Sequence, residues 1–457
     1  MKHFPINDTI KQFASIFQKN GFSLYIVGGA VRDYLLKIKN EDYDFATDAT
    51  PENVISIFKT TIPTGIKHGT VTVIFKSNNF EVTTFRSEAD YLDGRRPEKV
   101  EFIRSLDEDL KRRDFTINAL AADAKTGLII DNHNGIKDLK NKTIKAIGIA
   151  QERFEEDGLR IMRACRFASK LDFDVEKTTQ EAMKEKKDNI KNVSQERIKD
   201  ELFKLLKGKA PVKGLILLSQ SGILEIILPE LSALKGLQQG GFHQKDAFDH
   251  TLLCVAAAAR YNYPLEVRLA ALFHDLGKAQ TQKLDPNRSS QFSETSYSFY
   301  NHENVSEQLT KQILTRLKAS NMMISNVCNL VKNHMFNYTP DWSDGAVKRF
   351  INRVGYENIR SLFELRMCDQ EATFSKASWD SVEELENRIE EIIAKNEALS
   401  IKDLAINGKD LINLGIKKGP LFSKILNYLL NTVLDDPKMN ERDILLNLAN
   451  NYYKSLN

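Results

Sequence analysis

The chain has 457 residues, enough for roughly three domains, of which 28% are charged and 42% are hydrophobic. Its formal net charge is only +3, so any nucleic-acid surface must be a local concentration of Lys and Arg. The four cysteines are widely spaced without a CxxC pair, and no apolar run approaches a membrane span, so we expect a cytoplasmic protein without a membrane partner.

The first stretch with chemical content is YIVGGAVRDYLLKIKNEDYDFATD, residues 25–48, which follows a helix predicted over residues 8–20. An apolar strand leads into Gly28 and Gly29 and then into a second helix. A strand, a glycine turn and a helix start form a phosphate cradle, because backbone N–H groups and the helix dipole point at the same anion. An ordinary glycine turn is the alternative interpretation.

The same stretch ends in a pair of acids, Asp42 and Asp44, at alternate positions of a β-rich segment. Side chains alternate along a strand, so both carboxylates lie on one face. Paired carboxylates beside a phosphate cradle are what two-metal phosphoryl or nucleotidyl transfer needs. A solvated acidic loop is the alternative, and so short a motif does not decide between the two.

The predicted secondary structure changes from mixed strand and helix to helix alone at one point in the chain. Residues 70–75 (TVTVIF) and 80–85 (FEVTTF) read as strands joined by a turn at residues 77–79, so the first 145 residues indicate an α/β or α+β domain. From about Gln151, helical periodicity continues nearly to the end. The predicted plan is a small mixed head followed by a long helical body.

Within the head, KRRDFTINAL (residues 111–120) precedes an apparent helix. Guanidinium groups bind phosphates bidentately, so Arg112 and Arg113 could reach a triphosphate. Asp114 and Asn118 share one face and suit either a sugar hydroxyl or a cap within the fold. A solvated basic turn is the alternative interpretation.

After the head, RFEEDGLRIMRACRFASK (residues 153–170) predicts a helix with a buried apolar stripe. Arg160, Arg163 and Arg166 form a row along one side, and Asp157 lies one turn before Arg160, which makes their side chains neighbours. A carboxylate accepts and a guanidinium donates, so the pair can mimic the pairing edge of a base. A surface ion pair is the alternative.

In their order and spacing, GGAVRD, DYD, RRDFTINA and EDGLRIMRACRFA resemble the class II tRNA nucleotidyltransferases, which include the CCA-adding enzymes and bacterial poly(A) polymerases. The resemblance is close over residues 24–173 and looser over the helical remainder. It implies an α+β head with a polymerase-β-like nucleotidyltransferase fold, followed by an all-α neck, an HD-type body and a tail. The expected boundaries are 1–145 for the head, 146–235 for the neck, 236–375 for the HD domain and 376–457 for the tail.

The resemblance further implies template-independent addition or repair of the 3′-terminal CCA of tRNA from CTP and ATP. By the same resemblance, Asp42 and Asp44 hold Mg²⁺ ions that activate the RNA 3′-hydroxyl and stabilise the leaving pyrophosphate. The implied nucleotide-binding residues are Gly28, Gly29 and Arg32 at the phosphates, Arg113 near the nucleotide, Asp157 and Arg160 as the base reader, and Arg163 and Arg166 completing the site. Glu81 is either a third carboxylate of the head or part of a structural pair.

Two alternatives remain within this enzyme class: a poly(A) polymerase, or a partial enzyme that adds only CC or only A. The segment YLDGRRPEKVEF (residues 91–102) resembles the loop that complete CCA enzymes use between their two specificities, which favours the complete activity. Two loops depart from the family pattern, DNHNG at residues 131–135 and GIA at residues 148–150. Both departures concern local loop geometry and leave the carboxylates and the base reader intact.

A second site is predicted in the helical body, where FHDLGK, an upstream His and a later Asp resemble the HD phosphohydrolase signature. Imidazoles with carboxylates suit Mn²⁺, Ni²⁺, Fe²⁺ or Mg²⁺. The predicted metal ligands are His250, His274, Asp275 and Asp369, with His302 and His334 as a further set for phosphate or a second metal. Satisfied structural histidines are the alternative, and an HD-dependent phosphohydrolase acting on RNA ends is a competing or additional activity.

The tail carries glycine turns with lysines between residues 400 and 436. Backbone amides after such turns could bind tRNA phosphates, as the tail does in similar enzymes. A helical tail with solvated lysines explains the same pattern.

Overall fold

A computed structural model describes residues 2–40, 42–88, 100–240, 245–285, 297–374, 378–395 and 398–456. The chain forms two compact units, Met1–Ser232 and Ala233–Asn457. The finer division expected at residues 145–146 and 375–376 stays a prediction. Residues 91–99 of the predicted specificity loop lie outside the described residues.

The first unit contains the head. Within its described residues the strands are β1 (Leu24–Val27), β2 (Asp44–Thr47), β3 (Thr61–Gly65), β4 (Thr70–Phe75), β5 (Asn78–Thr84), β6 (Arg86–Glu88), β7 (Val100–Phe102), β8 (Ala121–Asp123), β9 (Ile129–Ile130), β10 (Thr143–Ile144) and β11 (Asp174–Val175). The helices are α1 (Asp8–Lys19), α2 (Gly29–Leu35), α3 (Pro51–Ile57), α4 (Leu106–Lys111), α5 (Gly135–Lys140), α6 (Ala150–Glu156), α7 (Leu159–Leu171), α8 (Lys177–Glu185), α9 (Gln195–Leu206), α10 (Pro211–Gln220), α11 (Leu224–Ile227) and α12 (Pro229–Ser232).

The second unit is almost entirely helical. Its described helices are α13 (Ala247–Arg260), α14 (Leu265–Phe273), α15 (Lys278–Thr281), α16 (His302–Arg316), α17 (Asn321–Asn333), α18 (Asp344–Val354), α19 (Tyr356–Phe374), α20 (Asp380–Ala394), α21 (Gly408–Asn413), α22 (Pro420–Asp435) and α23 (Arg442–Ser455), with a short ladder of β12 (Lys283–Leu284) and β13 (Tyr297–Ser298). Among the described helices, none has both the length and the apolarity needed to cross a membrane. The predicted plan of an α+β head and a helical body is confirmed.

The main sheet of the head has the order β3-β4-β5-β2-β1-β8-β9. β2 runs parallel to β5, and the other adjacent pairs are antiparallel. In this register Asp44 lies opposite Val27 of β1 and Glu81 of β5. β2 begins at Asp44, so Asp42, predicted to share the strand with it, lies two residues before the strand. The glycine turn after β1 and both acids still come to the same end of the sheet.

Helix α1 packs against one face of this sheet. Asn7 caps α1 by accepting a hydrogen bond from the Ile10 amide at 2.8 Å. The buried face of α1 places the Phe13 ring 5.3 Å from that of Phe45 and 4.8 Å from that of Phe80, measured between ring centroids. Ile16, on the same helix, is only half-buried.

The hairpin between β4 and β5 is tighter than the sequence predicted. Lys76 and Ser77 have φ angles of 49° and 63°, and Phe75 pairs with Asn78. Two consecutive residues with positive φ are typical of a type I′ turn, whose twist matches that of the strands. The turn is therefore Lys76-Ser77, and residues 78 and 79 already belong to β5.

The segment predicted as one helix over residues 153–170 is two helices, with a break between Glu156 and Leu159. Asp157 has φ −150° and ψ 105°, which is extended backbone. A Cβ on Gly158 would lie 2.5 Å from the carbonyl oxygen of Asn189, so only glycine permits this close approach. The predicted apolar stripe of α7 is confirmed, because Ile161, Ala164, Cys165 and Ala168 are all buried.

Candidate functional site

A cavity of about 820 Å³ lies in the first unit, at the end of the sheet where β1 and β2 meet the glycine turn. Its walls come from several separate sequence segments, among them the glycine turn, the acid pair, residues 112–118 and the start of α7. All ten residues predicted for the head site line this one cavity: Gly28, Gly29, Arg32, Asp42, Asp44, Arg113, Asp157, Arg160, Arg163 and Arg166. Motifs up to 138 residues apart in sequence (166 − 28) are thus brought together.

The glycine turn allows an arginine to approach the backbone. Gly28 has φ 66°, and its amide donates a hydrogen bond to the Leu120 carbonyl at 3.1 Å. A Cβ at Gly28 would lie 3.2 Å from an Nη atom of Arg113, a contact tighter than most real ones. Arg113 in turn pairs with Asp109 at 3.2 Å. Glycine is required here both by backbone conformation and by the arginine above it.

The acid pair carries unbalanced negative charge. Partial burial, followed by the carboxylates of Asp42 and Glu81, raises the pKa of Asp44, and only Arg113 lowers it. Like charges held this close disfavour ionisation unless a cation binds between them. The donors are oxygen atoms only, which suits a hard divalent cation such as Mg²⁺. The residues present therefore fit a divalent metal.

A buried polar network connects the two sides of the cavity. Arg32 donates hydrogen bonds to Asp33 and Asn118, both at 2.7 Å. Asn118 donates to Asp114 at 3.0 Å, and Arg163 donates to the same carboxylate at 2.7 Å. Asp114 and Asn118 thus link α2 to α7, and both also line the cavity, so the two predicted roles, contact with a sugar hydroxyl and a cap within the fold, stay predictions.

The charge of Asp114 is strongly favoured by its partners. Burial alone would raise the pKa of Asp114, but Arg163, Asn118 and the Phe115 amide together hold it below the ordinary value. The Asp114 carboxylate in turn raises the pKa of the half-buried Arg163 guanidinium, although desolvation acts in the opposite direction. Both groups remain ionised at neutral pH, so the arginine is held in one orientation.

Asp157 and Arg160, the predicted base reader, do not lie on one continuous helix. Arg160 is buried and donates to the Glu156 carboxylate and, at 3.2 Å, to the carbonyl of Arg112. The break before α7 separates it from Asp157 along the backbone, yet both line the cavity. The partner Glu156, next to Asp157 in sequence, is one that the motif analysis missed.

Asp157 is fixed by contacts of its own. Its carboxylate accepts from the Leu159 amide at 3.0 Å, which caps the start of α7, and from Arg197 at 2.6 Å. Arg197 lies in α9, forty residues away, and also lines the cavity. Sequence spacing gives no signal for so distant a partner.

Arg166 faces two residues that the sequence did not single out. Its Nε atom lies 2.5 Å from Oε2 of the buried Glu201, and its guanidinium carbon lies 4.0 Å from the centre of the Phe167 ring. The guanidinium groups of Arg32 and Arg163 lie 5.3 Å and 5.6 Å from the same ring. Phe167 therefore packs among three arginines that line the cavity.

The second unit holds the predicted histidine and aspartate residues in a separate cluster beside a cavity of about 950 Å³. Two groups of potential metal ligands are present among the described residues: His250, Cys254, His274 and Asp369, and then Asp275, His302 and His334. All six predicted residues are included. Cys254 was missed, because a lone cysteine on a helix carries no motif.

The cluster is close-packed and buried. Nε2 of His250 lies 3.2 Å from Asp369, and Nε2 of His274 lies 3.2 Å from Asp275. Burial opposes ionisation of both carboxylates, but the surrounding imidazoles hold the pKa of Asp369 below its ordinary value. Nitrogen and oxygen donors at this density, with side chains fixed on five helical segments, fit a divalent transition metal.

Three regions of the chain match known family models. Residues 24–145 match the Poly A polymerase head domain, residues 172–235 match the RNA- and SrmB-binding site of polymerase A, and residues 295–449 match tRNA nucleotidyltransferase domain 2. The first match covers the sheet and the acid pair. The head fold expected from the sequence is confirmed by this match.

Comparison with individual proteins gives the same family over the whole length. The chain is 34% identical over 455 residues to the CCA-adding enzyme of Enterococcus faecalis, covering 98% of both chains. It is 34% identical to that of Lactiplantibacillus plantarum, covering 97% of this chain and 94% of the relative. The match to the CCA-adding enzyme of Ligilactobacillus salivarius is 52% identical over 213 residues, 46% of this chain and 52% of the relative.

Among solved structures, the CCA-adding enzyme of Bacillus stearothermophilus in complex with CTP superposes with a TM-score of 0.71. It is 28% identical, and the alignment covers 98% of this chain and 99% of that one. The similarity therefore spans both units.

Proposed function

The chain belongs to the family of CCA-adding enzymes, and from that membership we propose that it adds or repairs the 3′-terminal CCA of tRNA with CTP and ATP. The observation that carries the proposal is the single cavity that gathers the acid pair, the glycine turn, Arg113 and the Asp157–Arg160 pair. Each of these groups alone has an ordinary structural explanation. Together they supply a metal site, a phosphate site and a base reader.

A nucleotidyltransferase head uses a divalent cation, and we propose that Asp42 and Asp44 hold Mg²⁺ here. When bound, such ions lower the pKa of the attacking 3′-hydroxyl and neutralise charge on the leaving pyrophosphate. Glu81, opposite Asp44 in the sheet, is a further carboxylate on this side. Its proposed role is to keep the acid pair electronegative.

The remaining residues bind and orient the nucleotide. We propose that the amides of the glycine turn with Arg32 and Arg113 bind the triphosphate, because guanidinium groups match phosphate oxygens bidentately. Arg163 and Arg166 hold the nucleotide on the α7 side. Ion pairs behind these arginines keep their donors fixed before the substrate arrives.

Base choice is assigned to Asp157 and Arg160. A carboxylate and a guanidinium present acceptors and donors to the edges of cytosine and adenine without a nucleic-acid template. Each side chain is fixed by a neighbour, Arg160 by Glu156 and Asp157 by Arg197. Selection then depends on how these two partners set the donor and acceptor pattern.

The test of this function is incorporation into tRNA that lacks its last three nucleotides, with Mg²⁺ and labelled CTP and ATP. Addition of C, C and A followed by a stop is expected, and Asp42→Ala with Asp44→Ala should abolish it. Long A tracts would instead identify a poly(A) polymerase, and a stop after CC or a requirement for a CC end would identify a partial enzyme.

Base selection has its own test. Arg160→Ala should relax the choice between CTP, ATP and UTP by more than tenfold while tRNA affinity stays within about twofold, because the residue contacts the base and not the RNA. Lys184→Ala, an exposed change on α8, is the control. Full discrimination by Arg160→Ala would refute the assignment.

A second activity is proposed for the other unit, because a buried cluster of metal ligands opens onto a large cavity there. We propose a phosphohydrolase that uses Mn²⁺, Ni²⁺ or Fe²⁺ to hydrolyse a phosphate ester at an RNA end. Lys278 and Arg366 line the same cavity and supply positive charge for a phosphate. His274→Ala should abolish phosphate release and leave CCA addition intact, whereas the Asp42/Asp44 double variant should do the reverse.

The partner surface and the cellular location follow from the same proposal. Two lysines beside the glycine turns of the tail, Lys409 and Lys417, are exposed, which suits contact with tRNA phosphates. Affinity for tRNA should then fall steeply with salt. A cytoplasmic location stays a prediction.

A further inference from the structure

We propose that Lys170 and Lys204 bind the two terminal phosphates of CTP or ATP, which leave together as pyrophosphate. This inference rests on the proposed addition of CCA and names two residues that hold the leaving group. Lys170 lies in the last turn of α7 and Lys204 lies in α9, and both line the nucleotide cavity.

The carboxylate of Asp33 is shared by an arginine and a lysine. Its Oδ1 accepts a hydrogen bond from Arg32 at 2.7 Å, and its Oδ2 lies 3.6 Å from Nζ of Lys170. Asp33 is buried, whereas both cations line the cavity. Arg32 belongs to the helix that starts at the glycine turn, so the shared carboxylate brings Lys170 to the phosphate-binding end of the cavity.

Glu201 of α9 has the same arrangement. Its Oε2 lies 2.5 Å from Nε of Arg166, and its Oε1 lies 4.0 Å from Nζ of Lys204. The carboxylate is buried, and both cations line the cavity. A separation of 4.0 Å is too long for a hydrogen bond, and the Lys204 side chain is 60% exposed, so its ammonium group is able to turn towards a ligand.

The two groups of cations adjoin each other. The guanidinium carbons of Arg32 and Arg166 lie 5.3 Å and 4.0 Å from the centre of the Phe167 ring. Four cations therefore share two carboxylates, an excess of two positive charges within the group (4 − 2). Burial and the charges of Arg32 and Arg166 lower the pKa of Lys170. A bound anion relieves this repulsion.

Lys170 lies at the opposite end of α7 from the proposed base reader. It follows Arg160 by ten residues (170 − 160), which is about 15 Å along a helix axis. The base and the terminal phosphate are likewise the two ends of a nucleotide. With the base at Arg160, the β- and γ-phosphates therefore lie towards Lys170.

The leaving group gains negative charge beside these lysines. The 3′-oxygen of the RNA bonds to the α-phosphorus, the bond from this phosphorus to the bridging oxygen breaks, and its electron pair leaves with pyrophosphate, while the hydroxyl proton passes to water. Fixed positive charge next to the leaving phosphates stabilises this developing charge. Ammonium groups suit a ligand that must also be released, because they bind phosphate as point charges without the bidentate geometry of guanidinium.

The test compares ligands that differ in their phosphates. Equilibrium binding of CTP, CMP and inorganic pyrophosphate to the full chain is measured with Mg²⁺ and without tRNA. Lys170→Gln with Lys204→Gln should weaken the binding of CTP and of pyrophosphate by about tenfold or more and change CMP affinity by less than about twofold, because only the first two ligands carry the contacted phosphates. Lys170→Arg with Lys204→Arg keeps both charges and should retain CTP affinity within about threefold.

The matched control is Lys184→Gln with Lys207→Gln, which removes two charges from exposed positions that are not among the described residues lining the cavity. It should leave all three affinities unchanged. Unchanged pyrophosphate affinity in the Lys170/Lys204 glutamine variant overturns the inference, and so does an equal loss of CMP affinity. A loss of tRNA affinity with unchanged pyrophosphate binding also overturns it, because the lysines would then contact phosphates of the RNA. If the unmodified chain does not add CCA, the proposed function fails whatever the lysines bind.

Discussion

The ion pair between Asp114 and Arg163 offers a direct test of how the nucleotide cavity is built. Asp114→Asn keeps the size of the side chain and removes its charge. The amide can still accept from the Phe115 N–H, a bond of 2.8 Å in the structure. What is lost is the attraction to Arg163 and one of the strong hydrogen bonds to Asn118 or Arg163.

The size of the effect follows from burial. Breaking a fully buried ion pair on one side costs roughly 3–5 kcal/mol. The Arg163 side chain is 34% exposed, so water can solvate its charge once the carboxylate is gone. We therefore expect a loss of about 2 kcal/mol, between the exposed and buried limits. For a unit of this size that corresponds to a fall in Tm of roughly 4–8 °C.

The direction of the Asp114 pKa shift determines how the stability loss in Asp114→Asn depends on pH. The pKa of Asp114 is lower in the folded chain than in the unfolded chain, so its contribution to stability is fully present above the unfolded pKa of about 4. As pH falls through the folded pKa, that contribution is lost. The variant has no carboxylate at this position to titrate. The difference in Tm between the two proteins should therefore shrink below about pH 4.

Differential scanning calorimetry at pH 7 and at several lower pH values measures this difference. Asp174→Asn is the matched control, because Asp174 pairs with Lys213 at the surface and its side chain is 84% exposed. The control should change Tm by less than about 2 °C. An equal Tm difference for Asp114→Asn at pH 7 and pH 3, or none at pH 7, would refute the argument.

Three further changes test separate features. Gly28→Ala should reduce CTP affinity at least tenfold in an equilibrium binding assay, because the added Cβ strains a residue with φ 66° and displaces Arg113. Unchanged affinity would mean that the turn does not contact the phosphates. Phe167→Leu should weaken CTP binding by roughly three- to tenfold through lost cation–π contacts, with little effect if the ring is only core. Glu176→Gln should lower Tm at pH 7, because this side chain caps α8 and its pKa is lowered to about 2. That Tm difference should persist at pH 4 and fade only towards pH 2, and its disappearance by pH 4 would contradict the assigned pKa.

Much of the site could be predicted because each motif is local. The glycine pair follows β1 and the acid pair lies at the beginning of the neighbouring β2, so the pairing of two adjacent strands decides their positions. The arginines of α7 share one helical side, and Arg160, Arg163 and Arg166 all line the cavity. For the histidine–aspartate cluster, the four signature residues and the two further histidines named from the sequence lie together in the structure.

The rest depends on contacts that no local pattern encodes. Arg197, which lines the cavity, and Glu201, which pairs with Arg166, come from α9 and are in place because α9 packs along α7. The break before α7 is set by the approach of Asn189 to Gly158, so the periodicity of the apolar stripe could not reveal it. The position of the turn at Lys76-Ser77 depends on backbone angles that neither residue type favours.

The arginines of the cavity also show why a net charge of +3 says little about this protein. Each of five guanidinium groups that line the cavity is held by a carboxylate of the same unit: Arg32 by Asp33, Arg113 by Asp109, Arg160 by Glu156, Arg163 by Asp114 and Arg166 by Glu201. A guanidinium has five N–H donors, and a bidentate carboxylate takes two. Each arginine can therefore keep its partner while it binds a phosphate or a base edge, and little reorganisation accompanies substrate binding. On this basis the carboxylates determine where the positive charge is presented, so removing one of them should alter selectivity and kcat more than it alters overall electrostatic attraction.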